Sequence, residues 1–266
     1  MFEHVYDAQA TRVCGNSRRT RAHDGEQSDD EQHIDDPRVQ HRSYKFRGTG
    51  ELIPYALFVP SNYDSSQPAP LIVSLHGLGR SHDWLMGYHG LLDQAEENGY
   101  IVVTPLGYVR RGWYGSRELD NMQDAERSEQ DVMNVLQLLR DEFSVDADRI
   151  YLWGHSMGGA GTYHLAAKYP NIFAGLGVAA PAPEADAPMN SILNNIKHLP
   201  IFVLQGDEDT AVPVERTRAW VAKMRELGMQ HVYVEIPGGD HSLLISQDAV
   251  NMKKFVDFFN IVRKQY

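Results

Sequence analysis

Tyr151-Leu152-Trp153-Gly154-His155-Ser156-Met157-Gly158-Gly159-Ala160 changes character at its centre. Residues 149–153 are a short apolar run of the kind a buried strand shows, and 157–168 suit a helix whose first turn is built of small residues. Between them stands Gly-His-Ser-Met-Gly, a match to G-x-S-x-G, the strand-turn-helix arrangement that lifts a serine off the edge of a sheet. The spacing has a physical reason. A serine at so sharp a turn needs strained backbone angles, and neighbours without side chains let strand and helix close around it. Met157 then begins a helix, and its amide points outward at the positive end of the helix dipole.

The segments on either side of this turn set the fold class. Runs 43–48 and 52–59 read as two antiparallel strands about Gly48-Thr49-Gly50. Apolar runs at 71–75, 101–104, 173–180, 200–205 and 231–236 read as buried strands. Helical patterns cover 83–98, 122–143, 189–197, 214–227 and 247–262, with Gly99 and Gly228 placed as stops. Strand and helix alternate through most of the chain. An α/β architecture is therefore expected: a mostly parallel central sheet, helices on both faces, and active residues at the carboxyl ends of the strands.

Residues 1–40 are polar, with Arg18, Arg19 and Arg21 followed by an acidic run from Asp24 to Asp36. They lack the apolar surface that would offset ordering entropy, so 1–40 is expected to be a disordered tail and 41–266 the catalytic domain. The formal net charge of -11 disfavours nucleic acid or an anionic membrane as partner, since both need a basic face. The single cysteine, Cys14, excludes an intramolecular disulfide and a cysteine nucleophile in the domain. No apolar run approaches the ~20 residues of a membrane span. Nor does the N-terminus show the basic-then-apolar pattern of a secretory signal, so a cytoplasmic location is expected by default, with secretion open if this start is not the native one.

A serine hydroxyl becomes a good nucleophile when a base takes its proton, and the base is best a histidine oriented by a carboxylate. On this kind of sheet the order along the chain is serine, acid, histidine. His241 takes the last place, in the Pro237-Gly238-Gly239-Asp240-His241 loop after the final strand. His198 and His231 lie at the wrong ends of their strands. Two aspartates follow the strand ending at Gln205. Asp209, heading Asp209-Thr210-Ala211-Val212-Pro213, is the preferred partner, while Asp207 could instead bond backbone amides and shape the turn. Asp240 adjoins His241 too closely to reach its ring and reads as a turn residue.

The negative oxygen of a tetrahedral intermediate needs amide donors. Met157 supplies one, and Leu78, in His76-Gly77-Leu78-Gly79 after a central strand, is expected to supply the second. Gly77 lets the backbone come close to substrate. Trp113 and Tyr114 lie on the loop after the 101–104 strand, where they either flank a substrate or pack on the core. The histidines at 76, 82, 89, 155 and 164 lack a compact ligand spacing with carboxylates, so no metal is expected.

The four segments Gly154-His155-Ser156-Met157-Gly158-Gly159, His76-Gly77-Leu78-Gly79, Asp209-Thr210-Ala211-Val212-Pro213 and Gly239-Asp240-His241 together resemble the α/β-hydrolase superfamily, over residues 43 to the C-terminus. Within it the chain looks like the compact esterases grouped with feruloyl esterases, polyhydroxybutyrate-depolymerase-like enzymes and prolyl-oligopeptidase-type hydrolases. The resemblance implies a serine carboxylic-ester hydrolase working through an acyl-enzyme, without a cofactor, on small-molecule or polymeric esters. Lids in that superfamily are often inserted before the strand that bears the acid. Here residues 180–200 are too few for a large lid, which favours bulky, aromatic (feruloyl or cinnamoyl) or polyester substrates. A peptidase or amidase with the same triad is the alternative enzyme, and a non-catalytic interaction protein on the same fold is the alternative from another class.

Overall fold

The computed structural model describes residues 34–264. Among them eight strands form one sheet: β1 (Gln40–Lys45), β2 (Leu52–Phe58), β3 (Ala69–Leu75), β4 (Ile101–Pro105), β5 (Val145–His155), β6 (Gly175–Ala179), β7 (Ile201–Gly206) and β8 (His231–Ile236). Their order across the sheet is β1-β2-β4-β3-β5-β6-β7-β8. β1 and β2 pair antiparallel, β2 is antiparallel to β4, and every later pairing is parallel. The helices are α1 (Leu91–Asn98), α2 (Met122–Glu142), α3 (Met157–Lys168), α4 (Met189–Asn195), α5 (Val214–Glu226), α6 (Leu243–Ser246) and α7 (Ala249–Ile261). None of them is long and apolar enough to cross a membrane.

The period of two along each strand sorts the core into two layers. Leu71, Val73, Ile101, Val103, Ile150, Leu152, Ile201 and Val203 pack in one layer with α2, α3, α4 and α5. Their neighbours Ile72, Val102, Tyr151, Trp153, Phe202 and Leu204 pack in the other with α1 and α7. This is why the central strands read as unbroken apolar runs: both faces are covered. The second layer is rich in aromatic contacts, with Phe255 of α7 against both Trp153 and Phe202, at ring centroids 5.4 and 4.6 Å apart. Burying each such ring stabilises the fold by roughly 1.5–3 kcal/mol.

The boundaries differ from expectation: β1 lies at Gln40–Lys45 where 43–48 was expected, and β5 starts at Val145 where 149 was expected. Residues 1–33 of the expected tail lie outside the described residues. Ile34 to Val39 lie against the domain: the Ile34 amide donates to Asp83 at 3.1 Å, Val39 is buried, and Arg38 pairs with Asp36 and Asp93. The single helix expected over 83–98 is broken into a 3-10 turn at Trp84–Gly87 and α1, because Gly90 takes a left-handed φ of 84° where the chain passes Ala249. The last helix, expected over 247–262, is α7, capped by Asp248 through the Val250 and Asn251 amides, and the short α6 precedes it as an additional turn. Between β6 and β7, α4 sends Leu193 into the core layer shared with α3, and the segment forms no large lid.

Candidate active site

β5 ends at His155 and α3 begins at Met157, leaving Ser156 alone in the turn with φ 58° and ψ −115°. A non-glycine residue held there costs about 1–3 kcal/mol and persists only where its surroundings over-determine it. They do so here. The Ser156 amide donates to the Ala179 carbonyl at 2.9 Å, and the Ser156 carbonyl accepts from Gly159, Ala160 and Ala182 at 2.9, 3.2 and 3.0 Å. A Cβ on Gly154 would overlap the backbone of Gly158, and one on Gly158 would overlap the Leu75 carbonyl at the end of β3. The two glycines are thus required by close approach of three backbones. Met157 holds the first helical position, where an amide has no partner within the helix.

The structure brings Ser156, His241 and Asp209 into one hydrogen-bonded line. His241 Nε2 lies 2.9 Å from Ser156 Oγ, and His241 Nδ1 lies 2.7 Å from Asp209 Oδ2. Because a carboxylate only accepts, Nδ1 carries the proton and Nε2 is left to accept one from the serine. The Asp209 side chain is fully buried while that of His241 keeps 22% of its surface exposed. Burial alone would raise the Asp209 carboxyl. Hydrogen bonds from His241, the Val212 amide and Gln205 outweigh it and hold the pKa below the usual value, so the carboxylate stays ionised. Its second oxygen accepts the Ala211 and Val212 amides, both at 2.8 Å. Asp207 instead accepts the Gly238 amide at 2.6 Å, and Asp240 accepts the amides of Ser242, Leu243 and Leu244. Both are turn-shaping acids.

The turn after β3 lies beside the nucleophile. A Cβ on Gly77 would sit 3.7 Å from Ser156 Cβ and 3.4 Å from the Trp84 ring. Arg80 N donates to Gly77 O at 3.2 Å and Gly79 N to Arg110 O at 3.0 Å, so Leu78 is at the crown of a turn that hangs over Ser156, its side chain exposed. His76 fixes the base of that turn through Nε2 and the Leu106 carbonyl at 2.8 Å.

The two loop aromatics separate. Tyr114, a candidate to flank substrate or to pack inward, does the second: it is fully buried, belongs to the core and is not a substrate-binding residue. Its ring fills the space over Gly107 and Gly161, where a Cβ at either position would press on it, and its hydroxyl donates to the His76 carbonyl at 3.3 Å. A side chain with no accessible surface offers none to a substrate. Trp113 is half-buried, with the Arg117 guanidinium 4.9 Å above its ring. Arg117 in turn pairs with Glu184 at 2.6 Å, joining the loop after β4 to the loop after β6. Beneath that pair is a cavity of about 520 Å³ lined by Met122, Ala160, Tyr163, Pro188 and Trp220. Ser156 does not line it. It begins at Ala160, ~6 Å along α3 from the nucleophile.

Two residues that the sequence pattern does not single out support the acid. Gln205 Nε2 donates to Asp209 Oδ2 at 2.8 Å, and its Oε1 accepts from Thr217 of α5, also at 2.8 Å. The signal available was a polar residue closing the apolar run Ile201-Phe202-Val203-Leu204. Among the described residues one group, His41, His82 and Asp83, offers three ligand atoms within 4.8 Å of one another, and it includes no member of the Ser-His-Asp line. His82 and His41 approach edge to face, and His41 Nδ1 lies 3.8 Å from Asp83.

The model of the Esterase family, described as "Putative esterase", matches residues 48–248. A bifunctional acetylxylan esterase/xylanase of Neocallimastix patriciarum is 26% identical over 170 residues, covering 64% of this chain and 23% of the relative. Feruloyl esterase B of Thermothelomyces thermophilus is 29% identical over 119 residues, 44% of this chain and 40% of that one. This chain thus spans less than half the length of either relative. A ferulic acid esterase of Anaeromyces mucronatus, solved with ferulic acid, superposes with a TM-score of 0.66 at 18% identity, over 84% of this chain and 90% of that one, which establishes a shared fold. With the model covering three-quarters of its residues, on an α/β-hydrolase sheet, the chain belongs to the Esterase family.

Proposed function

We propose that the chain is a serine carboxylic-ester hydrolase that works through an acyl-enzyme. The observation that carries the reading is the line Asp209–His241–Ser156, at 2.7 and 2.9 Å, on a strained turn beside a glycine loop. His241 Nε2 takes the Ser156 proton as Oγ attacks the ester carbonyl. Asp209 holds the tautomer and favours the imidazolium that forms. The Met157 and Leu78 amides face the carbonyl oxygen as it turns negative. His241 then hands its proton to the departing alcohol, leaving Ser156 acylated. Water, activated by the same imidazole, attacks the acyl carbonyl and restores the serine.

The reading extends to bulky or aromatic acyl groups. It is supported by the lack of a large lid, by the exposed Leu78 side chain on the turn beside the serine, and by the half-buried Trp113. The names of the relatives pull two ways, toward acetyl and toward feruloyl esters. A panel of esters sharing one alcohol, from acetyl to cinnamoyl, run beside fluorophosphonate labelling of wild type and Ser156→Ala, tests both parts. Labelling that survives the substitution, or a folded wild type that turns over no ester, rejects the mechanism. A strong preference for acetyl rejects the substrate class alone.

A further inference from the structure

His155 and Tyr88 take no part in the steps above, yet they touch the groups that do. His155 immediately precedes the nucleophile and its ring is entirely buried. Its Nε2 lies 2.8 Å from the backbone carbonyl oxygen of His241, and its Nδ1 lies 2.6 Å from the Tyr88 hydroxyl. A carbonyl can only accept, so Nε2 carries the proton; Nδ1 then holds a lone pair, into which the Tyr88 O–H donates. Burial, with His241 alongside, pushes the His155 pKa down to about 4, so the ring is neutral where a histidine base works. Trp84 stacks on it, with centroids 5.6 Å apart and planes 16° from parallel, and meets Tyr88 edge-on at 5.0 Å. Tyr88 is itself buried. Ring, tautomer and orientation are therefore all fixed by neighbours.

The consequence lies in how the base is placed. Ser156 follows β5 and His241 follows β8, with β6 and β7 between them in the sheet. Asp209 holds the His241 ring from its Nδ1 side, but nothing in that contact sets how far the loop at 237–242 stands from the elbow. The His155 N–H reaches across to that loop from the residue adjoining the nucleophile. In the opposite tautomer two lone pairs would face each other at 2.8 Å, and the loop would be pushed away.

We propose that His155 is a positioning residue: its Nε2–H, with the tautomer set by Tyr88, ties the His241 backbone to the nucleophile elbow and so fixes the reach from His241 to Ser156. The proposal rests on the serine-hydrolase reading above and adds to it a specific device for registering base to nucleophile.

The test uses the full chain as wild type, His155→Leu, His155→Gln, Tyr88→Phe and the His155→Gln/Tyr88→Phe double variant. Active sites are counted by prolonged fluorophosphonate labelling, and kcat is expressed per labelled site. A base displaced by a fraction of an ångström to an ångström slows chemistry by about 10- to 100-fold, which is the loss in kcat expected for His155→Leu with KM little changed. The rate of phosphonylation should fall in the same ratio, because it needs the same serine activation. Glutamine retains an N–H donor and has no tautomers, so His155→Gln should recover most of the loss. Tyr88→Phe should slow the native background, and should cost almost nothing in the His155→Gln background. A residue that merely packs would lower melting temperature and labelled fraction in every variant, and leave kcat per labelled site unchanged. That result overturns the proposal, as does a folded His155→Gln as slow as His155→Leu. If His155→Leu does not fold, the Tyr88→Phe pair decides alone: equal losses in both backgrounds refute the tautomer role. A wild type that neither labels nor hydrolyses esters refutes the serine-hydrolase reading itself, a separate failure.

Discussion

The elbow and the rim of the cleft obey different rules. At the elbow every degree of freedom is taken up: Ser156 is strained, its amide and carbonyl are both bonded, and Gly154, Gly158 and the Leu75 carbonyl meet with no room for another carbon. At the rim, Leu78 and Leu243 are about half exposed and Met122 more so, and the Arg117–Glu184 pair is partly exposed. One region is set by packed backbone, which few substitutions could preserve. The other is set by side chains that the fold does not constrain. On the proposed reading, reaction type and substrate choice are stored in separable parts of this molecule, and variants should divide accordingly.

The largest effect should follow from removing the nucleophile. Ser156→Ala is expected to cost on the order of 10⁴-fold or more in ester turnover, on every acyl group alike, with the melting temperature held. Steady-state rates and a thermal melt check both halves, and a purified folded variant with near-normal hydrolysis would break the comparison at its root.

Next comes the acid. Asp209→Asn leaves an amide that can hold the wrong imidazole tautomer, and a loss of about 10³- to 10⁴-fold in kcat is expected. Asp207→Asn retains an oxygen to accept the Gly238 amide and should cost less than about tenfold. The paired rates decide between the acids, and the reverse order would mean that Asp207 turns toward the imidazole in solution.

How much of this could be read in the chain follows the same division. The two-layer core was legible because strands covered on both faces are apolar at successive positions, as Leu71 to Val73 and Ile201 to Leu204 are. The elbow was legible because close backbone contact demands glycine at fixed offsets from Ser156. The order of serine, acid and histidine singled out the residues that the fold brings into line. Tyr114 was not legible: Trp113 and Tyr114 are adjacent in one turn, and which ring is buried depends on gaps left by Gly107 and Gly161, far apart in sequence. The contacts of His155 were equally hidden, since they involve a carbonyl from another strand's loop and a tyrosine 67 positions away.

A smaller effect concerns stability against pH. The folded protein holds His155 neutral with a pKa of about 4, whereas an exposed imidazole titrates near ~6.5. Between those values the unfolded chain binds the extra proton, so the contribution is complete above pH ~6.5 and is lost as pH falls toward 4. Asp209 acts in the same sense lower down, its contribution present above the ordinary carboxyl range and lost as pH falls through its depressed folded value. Exchanging His155 for glutamine removes the first of these. The drop in melting temperature between pH 7 and 4.5 should therefore be shallower in His155→Gln than in wild type, reflecting a difference in unfolding free energy of at most about 3 kcal/mol. Parallel melts across that range would mean that water reaches the ring.

The smallest effect should come from the rim. Of the pair Trp113 and Tyr114, Trp113 keeps accessible surface, and Arg117 already lies on its ring, leaving an edge to meet an aryl group. Such a contact is worth ~0.5–1.5 kcal/mol beyond area burial, or about two- to twelvefold in catalytic efficiency. Trp113→Ala should therefore reduce kcat/KM for a cinnamoyl ester by a few fold, while an acetyl ester of the same alcohol changes by less. Arg117→Ala, which frees the Trp113 face and the mouth of the cavity together, separates two routes to that preference. If the aryl group rests on Trp113, Arg117→Ala leaves or raises cinnamoyl efficiency. If it needs the cavity walls that the Arg117–Glu184 pair holds in place, Arg117→Ala lowers it even with Trp113 intact. Equal changes on both esters in both variants would show that the rim takes no part in choosing the acyl group, and that the division between elbow and rim does not extend to selectivity.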